Sequence, residues 1–107
     1  MDIMEQRLAV QCDSEEYAYR MMNELANVLR SNGQGERSIS YYKKALLCVK
    51  RRHKINYLSK WETAEILKNI ASAYHELGLH QEAGKYANHA HEVCKRLNTQ
   101  DSETVSQ

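Results

Sequence analysis

Proline is absent from this 107-residue sequence, and glycine occurs only four times. Both residues interrupt regular structure, so their scarcity beside 27% charged residues is the profile of a soluble helical domain. The length suits one small domain. No apolar run is long enough to span a bilayer, and the opening Met1-Asp-Ile-Met-Glu-Gln-Arg7 lacks the build of a signal peptide, so no membrane contact is expected. The net charge is only +1, which excludes a whole-molecule electrostatic attraction to nucleic acid. Cysteines number three, Cys12, Cys48 and Cys94, with no close pair. They are read as buried thiols in a reducing compartment. With no signal segment, that favours the cytoplasm, with the nucleus as the alternative.

Chemistry-bearing constellations are also missing. Serine, histidine and acidic residues are scattered without the local context of a triad, so no enzyme is expected. His89 and His91 point about 200° apart on a helix and cannot share one ion. His75 and His80 flank a turn, and no spaced Cys/His set accompanies them, so neither metal nor cofactor is expected. Gly33-Gln-Gly35 is a turn between helices and no phosphate loop.

What the chain does have is apolar residues at helical spacing. Ala18, Met21, Met22, Leu25, Ala26 and Leu29 fall on one stripe of a helix ending at Gly33, where glycine permits a left-handed cap. Ile39, Tyr42, Ala45, Leu46 and Val49 make the stripe of a second helix, from Gln34 to about Arg52. A linker from His53 to Leu58 follows. Ser59 and Glu62 then form a capping box ahead of a third helix, whose stripe is Ala64, Leu67, Ile70, Ala71 and Tyr74. Trp61, in its first turn, is read as covering the linker, or as an anchor for a partner if exposed. The fourth helix, His80 to Leu97, turns Ala83, Ala87, Ala90, Val93, Cys94 and Leu97 inward. Met1 to Cys12 fits a short helix loosely, Asp13-Ser-Glu-Glu16 resembles a helix start, and Thr99 to Gln107 is a polar, frayed tail.

The two halves match under a shift of about 45 residues, near the long end of helical-repeat periods. Ala26 then falls on Ala71, Gly33 on Gly78, Tyr41 on Tyr86, Ala45 on Ala90, and Lys50-Arg51 on Lys95-Arg96. One gapless offset argues for duplication. In the first copy Leu29 stands for Tyr74 and Ser38 for Ala83.

Leu67, Ala71, Tyr74, Gly78, Ala83 and Ala90 follow the order Leu, Ala or Gly, Tyr, Gly, Ala, Ala. That order closely resembles a tetratricopeptide repeat. The resemblance implies an all-α fold of two antiparallel helix pairs forming a short right-handed solenoid, with a short N-terminal helix. It divides the chain into an N-terminal helical segment 1–13, two repeats spanning 14–98 (about 14–53 and 59–98), and a disordered tail 99–107. It also implies a concave groove, lined by the first helix of each repeat, that receives a peptide or helix of a partner protein. The candidate partner-binding residues are the polar positions of those helices: Asn23, Asn27 and Arg30 in the first copy, and Lys68, Asn69, Ser72 and His75 in the second. An asparagine amide both donates and accepts, so it can hold a peptide backbone whatever its side chains.

Leu67 to Tyr74 is similar to the asparagine-bearing first helices of kinesin light chains and the G-protein-linked polarity adaptors. That likeness carries over to Asn69 alone, because the first copy has Glu24 at that place. The carboxylate clamp of chaperone-type repeats is not expected: Lys68 matches one position, but Asn23 stands where the other copy needs lysine. The leading function is therefore a non-enzymatic adaptor or scaffold module. The alternatives are self-assembly, as a homo-oligomer or a fragment of a longer repeat protein joined through its ends, and nucleic-acid binding through the basic run Lys50 to Lys54. That run is read first as a helix C-terminus whose cations face the negative end of the macrodipole.

Overall fold

In the computed structural model the backbone is described over residues 18–106 and the side chains over 18–98. The segment 1–13 and the helix start at Asp13 to Glu16 lie outside the described residues. Helix α1 spans Ala18–Ser31, α2 spans Gly35–His53, a 3-10 helix spans Lys54–Ser59, α3 spans Trp61–Glu76 and α4 spans His80–Ser106. There is no strand among the described residues. Helices α1 and α2 pack as one hairpin, α3 and α4 as a second, and α2 joins the two by packing on α3.

The two hairpin turns are built alike. Gly33 and Gly78 both have φ of +80°, a backbone conformation that costs glycine nothing and other residues a Cβ clash. In the first turn the Gly33 N–H donates to the Arg30 carbonyl at 3.1 Å and the Gln34 N–H to the Leu29 carbonyl at 2.8 Å. In the second, Gly78 donates to His75 at 3.0 Å and Leu79 to Tyr74 at 2.9 Å. Both pairs of bonds make a Schellman cap, which satisfies carbonyls that a helix end would otherwise leave unpaired. The shift between the copies is thus repeated bond for bond. Ser38, at the place of Ala83, is fully buried because its hydroxyl donates to the Gly35 carbonyl at 2.6 Å.

The main core joins both hairpins. Ala18, Met22, Ala26 and Leu29 of α1 meet Ile39, Tyr42, Ala45 and Val49 of α2, and Ile66, Ile70 and Ala73 of α3 close over them. A second cluster, Ala64, Leu67, Ala90 and Val93, holds α3 to α4. Tyr19, Tyr41, Ile66 and Ala73 are core residues outside the stripes read from sequence.

Several local expectations are corrected. The linker is a 3-10 helix, entered through Lys54 at φ +54°, and it runs through Ser59. Ser59 therefore cannot cap α3: the N-cap is Lys60, without a side-chain cap bond, and Glu62 is buried with one carboxylate oxygen unpartnered. Trp61 is half exposed. Helix α4 continues to Ser106 where fraying was expected from Thr99, and no glycine or proline stands there to stop it. Cys48, expected as a thiol, is disulfide-bonded, whereas Cys94 is free.

Candidate functional site

The residues singled out from sequence separate into two groups. The first forms a seam between α1, α2 and α3. Asn23 was expected on an outward stripe, yet it is only 8% exposed, because α3 covers that flank of α1. The Asn69 amide nitrogen donates to the Asn23 amide oxygen at 3.0 Å. Arg30 Nη1 donates to the main-chain carbonyl of Asn69 at 3.3 Å, and Arg30 Nε lies 3.8 Å from a Glu76 carboxylate oxygen. The guanidinium also stands 5.9 Å from the Tyr42 ring centroid. The Tyr42 hydroxyl donates to the Asn27 amide oxygen, and burial pushes the Tyr42 phenol above its usual pKa. Asn23, Asn27, Arg30 and Asn69 are thereby bonded within the chain.

The second group, Lys68, Ser72 and His75, is exposed on the outer side of the second hairpin. It borders a trough between α3 and α4. One cavity, of about 600 Å³, is lined by Ala71, Ser72, His75, Glu76, His80, Ala83, Gly84 and Ala87. A neighbouring one, of about 520 Å³, is lined by Lys68, Ala71, Ser72, Ala87, Ala90, His91 and Cys94. Their shared walls, Ala71, Ser72 and Ala87, make them one trough. Ala71 and Ala87 were expected inside the core. They instead line this trough, Ala71 half-buried and Ala87 exposed, since no further helix covers α3 and α4 on that side among the described residues. Glu76, His80, Gly84, Ala87 and His91 complete a site of which sequence reading supplied only Lys68, Ser72 and His75.

The trough floor is apolar and its rim carries charge. His75 Nδ1 lies 3.0 Å from His80 Nδ1, with the rings edge to face and their centroids 4.7 Å apart. One of the two nitrogens must carry the hydrogen of that contact. Among the described residues no three His, Cys, Asp or Glu side chains gather as a metal-ligand set. The arrangement offers shape, apolar contact and hydrogen bonding to a binding partner.

On another face, Lys43 of α2 holds the second hairpin. Its Nζ donates to the Tyr74 hydroxyl at 2.9 Å and stands 5.5 and 5.9 Å from the ring centroids of Tyr74 and Tyr86, which stack on each other. In the basic run, Lys50 lies over the Tyr57 ring at 5.3 Å, so part of that charge serves packing. Lys43 is held above its ordinary pKa, first by its bond to Tyr74, and burial raises Tyr19 and Tyr42. A group whose pKa is higher in the folded chain stabilises fully below its unfolded value and loses that contribution as pH climbs through the folded one. The unfolded values are 10.0 for tyrosine and 10.5 for lysine. Urea midpoints should therefore hold steady to about pH 10 and fall above it. Tyr42→Phe should start lower and fall less steeply, and parallel pH profiles for the two proteins would contradict this account.

Comparison with known proteins agrees with this architecture. A tetratricopeptide-repeat profile matches residues 20–55 and a second matches residues 64–95. Together they cover more than half of the chain, one on each hairpin, and the chain belongs to the tetratricopeptide-repeat family. Repeats of this family mediate protein–protein interaction. Searches of curated proteins and of solved structures gave no match. No helix among the described residues is long and apolar enough to cross a membrane.

Proposed function

We propose that this chain is a non-enzymatic adaptor or scaffold module that binds a peptide or helix of a partner protein. Contact is made on the second hairpin, through Lys68, Ser72 and His75. The supporting observation is the division of the candidate residues: these three border one open trough, whereas Asn23, Asn27, Arg30 and Asn69 are bonded to one another or to Tyr42. Recognition by Asn69 in the manner of kinesin light chains and polarity adaptors would require its amide to leave Asn23. For that reason the weight of this reading falls on the trough.

Affinity capture from cells tests it with two variants. Lys68→Ala/Ser72→Arg/His75→Ala changes only exposed side chains. It should lose the captured partners while its helicity and melting temperature stay near wild type. Asn27→Ala/Asn69→Ala should melt lower and keep those partners while folded. Retention of every partner by the trough variant would remove this reading. The uncovered apolar floor also favours a second reading, self-assembly through this end of the molecule. Light scattering over micromolar concentrations decides it: a strict monomer excludes self-assembly.

A further inference from the structure

We propose that His75 and His80 chelate one divalent transition-metal ion that prefers ligands at right angles, Cu2+ before Ni2+, at the turn between α3 and α4. The inference goes beyond the protein-binding reading, because its ligand is an ion and not a partner chain.

Five residues separate the two histidines, so neither one face of a helix nor a spaced ligand motif brings them together. The turn does. His75 lies in the last turn of α3, and His80 is the first residue of α4. Gly78, with φ of +80°, reverses the chain between them. The bonds from Gly78 to the His75 carbonyl and from Leu79 to the Tyr74 carbonyl fix the backbone there. From that frame the two Nδ1 atoms meet at 3.0 Å, with the ring planes at 62°.

That separation sets the metal. Two imidazole nitrogens 3.0 Å apart, each about 2.0–2.1 Å from one ion, subtend about 95° at it. A tetrahedral zinc site needs them about 3.3–3.4 Å apart. A right angle is the angle between neighbouring ligands in the tetragonal sites of Cu2+ and Ni2+, and imidazole suits both ions.

Binding needs no further reagent. In the neutral pair one Nδ1 donates its hydrogen to the other. That ring takes its hydrogen on Nε2 instead, by exchange with water at an exposed side chain, and both Nδ1 lone pairs then face the ion. The cavity of about 600 Å³ beside the pair has His75, Glu76 and His80 in its wall and leaves room for water to fill the other coordination positions. Glu76 is not counted as a ligand, since its carboxylate oxygen lies 3.8 Å from Arg30 Nε.

Neither the repeat nor the fold accounts for the pair. The repeat pattern runs through Leu67, Ala71, Tyr74, Gly78, Ala83 and Ala90 and includes neither histidine. Under the shift that relates the hairpins, His75 falls on Arg30 and His80 on Gly35, so the first turn has no counterpart. A hydrogen bond between two exposed side chains competes with water and adds little stability. An ion held there ties the end of α3 to the start of α4 and stabilises the second hairpin by mass action.

The test uses the whole chain without a histidine tag and the chloride salts of Ni2+, Cu2+ and Zn2+. Calorimetric titration is run in a non-coordinating buffer at about pH 7.5, where imidazole is mostly neutral. One Ni2+ should bind per chain in the micromolar range, with Cu2+ tighter and Zn2+ weaker. His75→Ala and His80→Ala should each weaken Ni2+ binding at least about tenfold. His89→Ala removes an exposed histidine away from the turn and should bind like wild type. The paramagnetic-resonance spectrum of bound Cu2+ should show two imidazole nitrogens in wild type and fewer in either turn variant. Ni2+ should raise the melting temperature of wild type and not of the turn variants.

No saturable Ni2+ or Cu2+ binding up to about 1 mM, with circular dichroism showing the fold intact, overturns the proposal. Binding that both turn substitutions leave unchanged overturns it too, because the ion then sits on other groups. Zn2+ binding tighter than Ni2+ overturns the right-angle geometry. The probe is an ion alone, so each of these results is independent of whether the trough captures a partner protein.

Discussion

Ile70→Ala should lower the unfolding free energy by about 2–5 kcal/mol, the range for deleting a large aliphatic side chain from a packed core. Ile70 is fully buried and belongs to the cluster that unites α1 and α2 with α3. Its loss therefore opens a cavity at the joint between hairpins, and not inside either one. Helical repeats are coupled mainly through contacts between neighbours, so weakening that joint should also reduce cooperativity. Trp61 is the chain's single tryptophan and stands at the start of the second hairpin, whereas circular dichroism reports both hairpins. Urea transitions followed by the two signals should coincide for wild type and separate for Ile70→Ala. A loss below about 1 kcal/mol would mean that the hairpins do not depend on this contact.

Asn69→Ala should cost about 1–3 kcal/mol, because it leaves the Asn23 amide unmatched in a buried place. Asn23→Ala should cost a similar amount. The double variant should cost less than the two together, with a coupling of about 1 kcal/mol, as expected for side chains in direct contact. Chemical denaturation of all four proteins measures that cycle. Two asparagines on a merely solvated stripe would each change stability by about 0.5 kcal/mol or less and would add independently. The cycle thus separates a seam that holds the hairpins together from a surface awaiting ligand.

The parts of this fold that could be read from sequence are those where one residue type meets a strict geometric demand. Gly33 and Gly78 marked both turns because positive φ excludes most other residues. Leu29, Ile39, Leu67 and Val93 marked helix faces because their burial follows the helical period. The asparagine seam was not legible, because helical periodicity distinguishes one apolar face from the rest. The first helix of a stacked pair has two covered sides, and the second of these is polar at Asn23 and Asn69. Ala71 and Ala87 misled for the opposite reason: a small apolar residue looks the same in a core as in the floor of an open trough. The Ser59 and Glu62 spacing promised a cap, but the 3-10 helix moved the N-cap of α3 to Lys60, one residue past Ser59. Lys68, Ser72 and His75 were legible as exposed polar positions. The trough they border depends on which helices meet, and that information is distributed over the whole chain.

The bond from Arg30 to position 69 has a consequence for how this protein can drift over generations. Its acceptor is a peptide oxygen, an atom common to every residue type. Exchanging the side chain at that position erases the amide pair with Asn23 and leaves this second tether untouched. The hairpins are thus fastened at one point by two ties of unequal genetic fragility, one severed by a codon change at either asparagine, the other only by a change at the arginine itself.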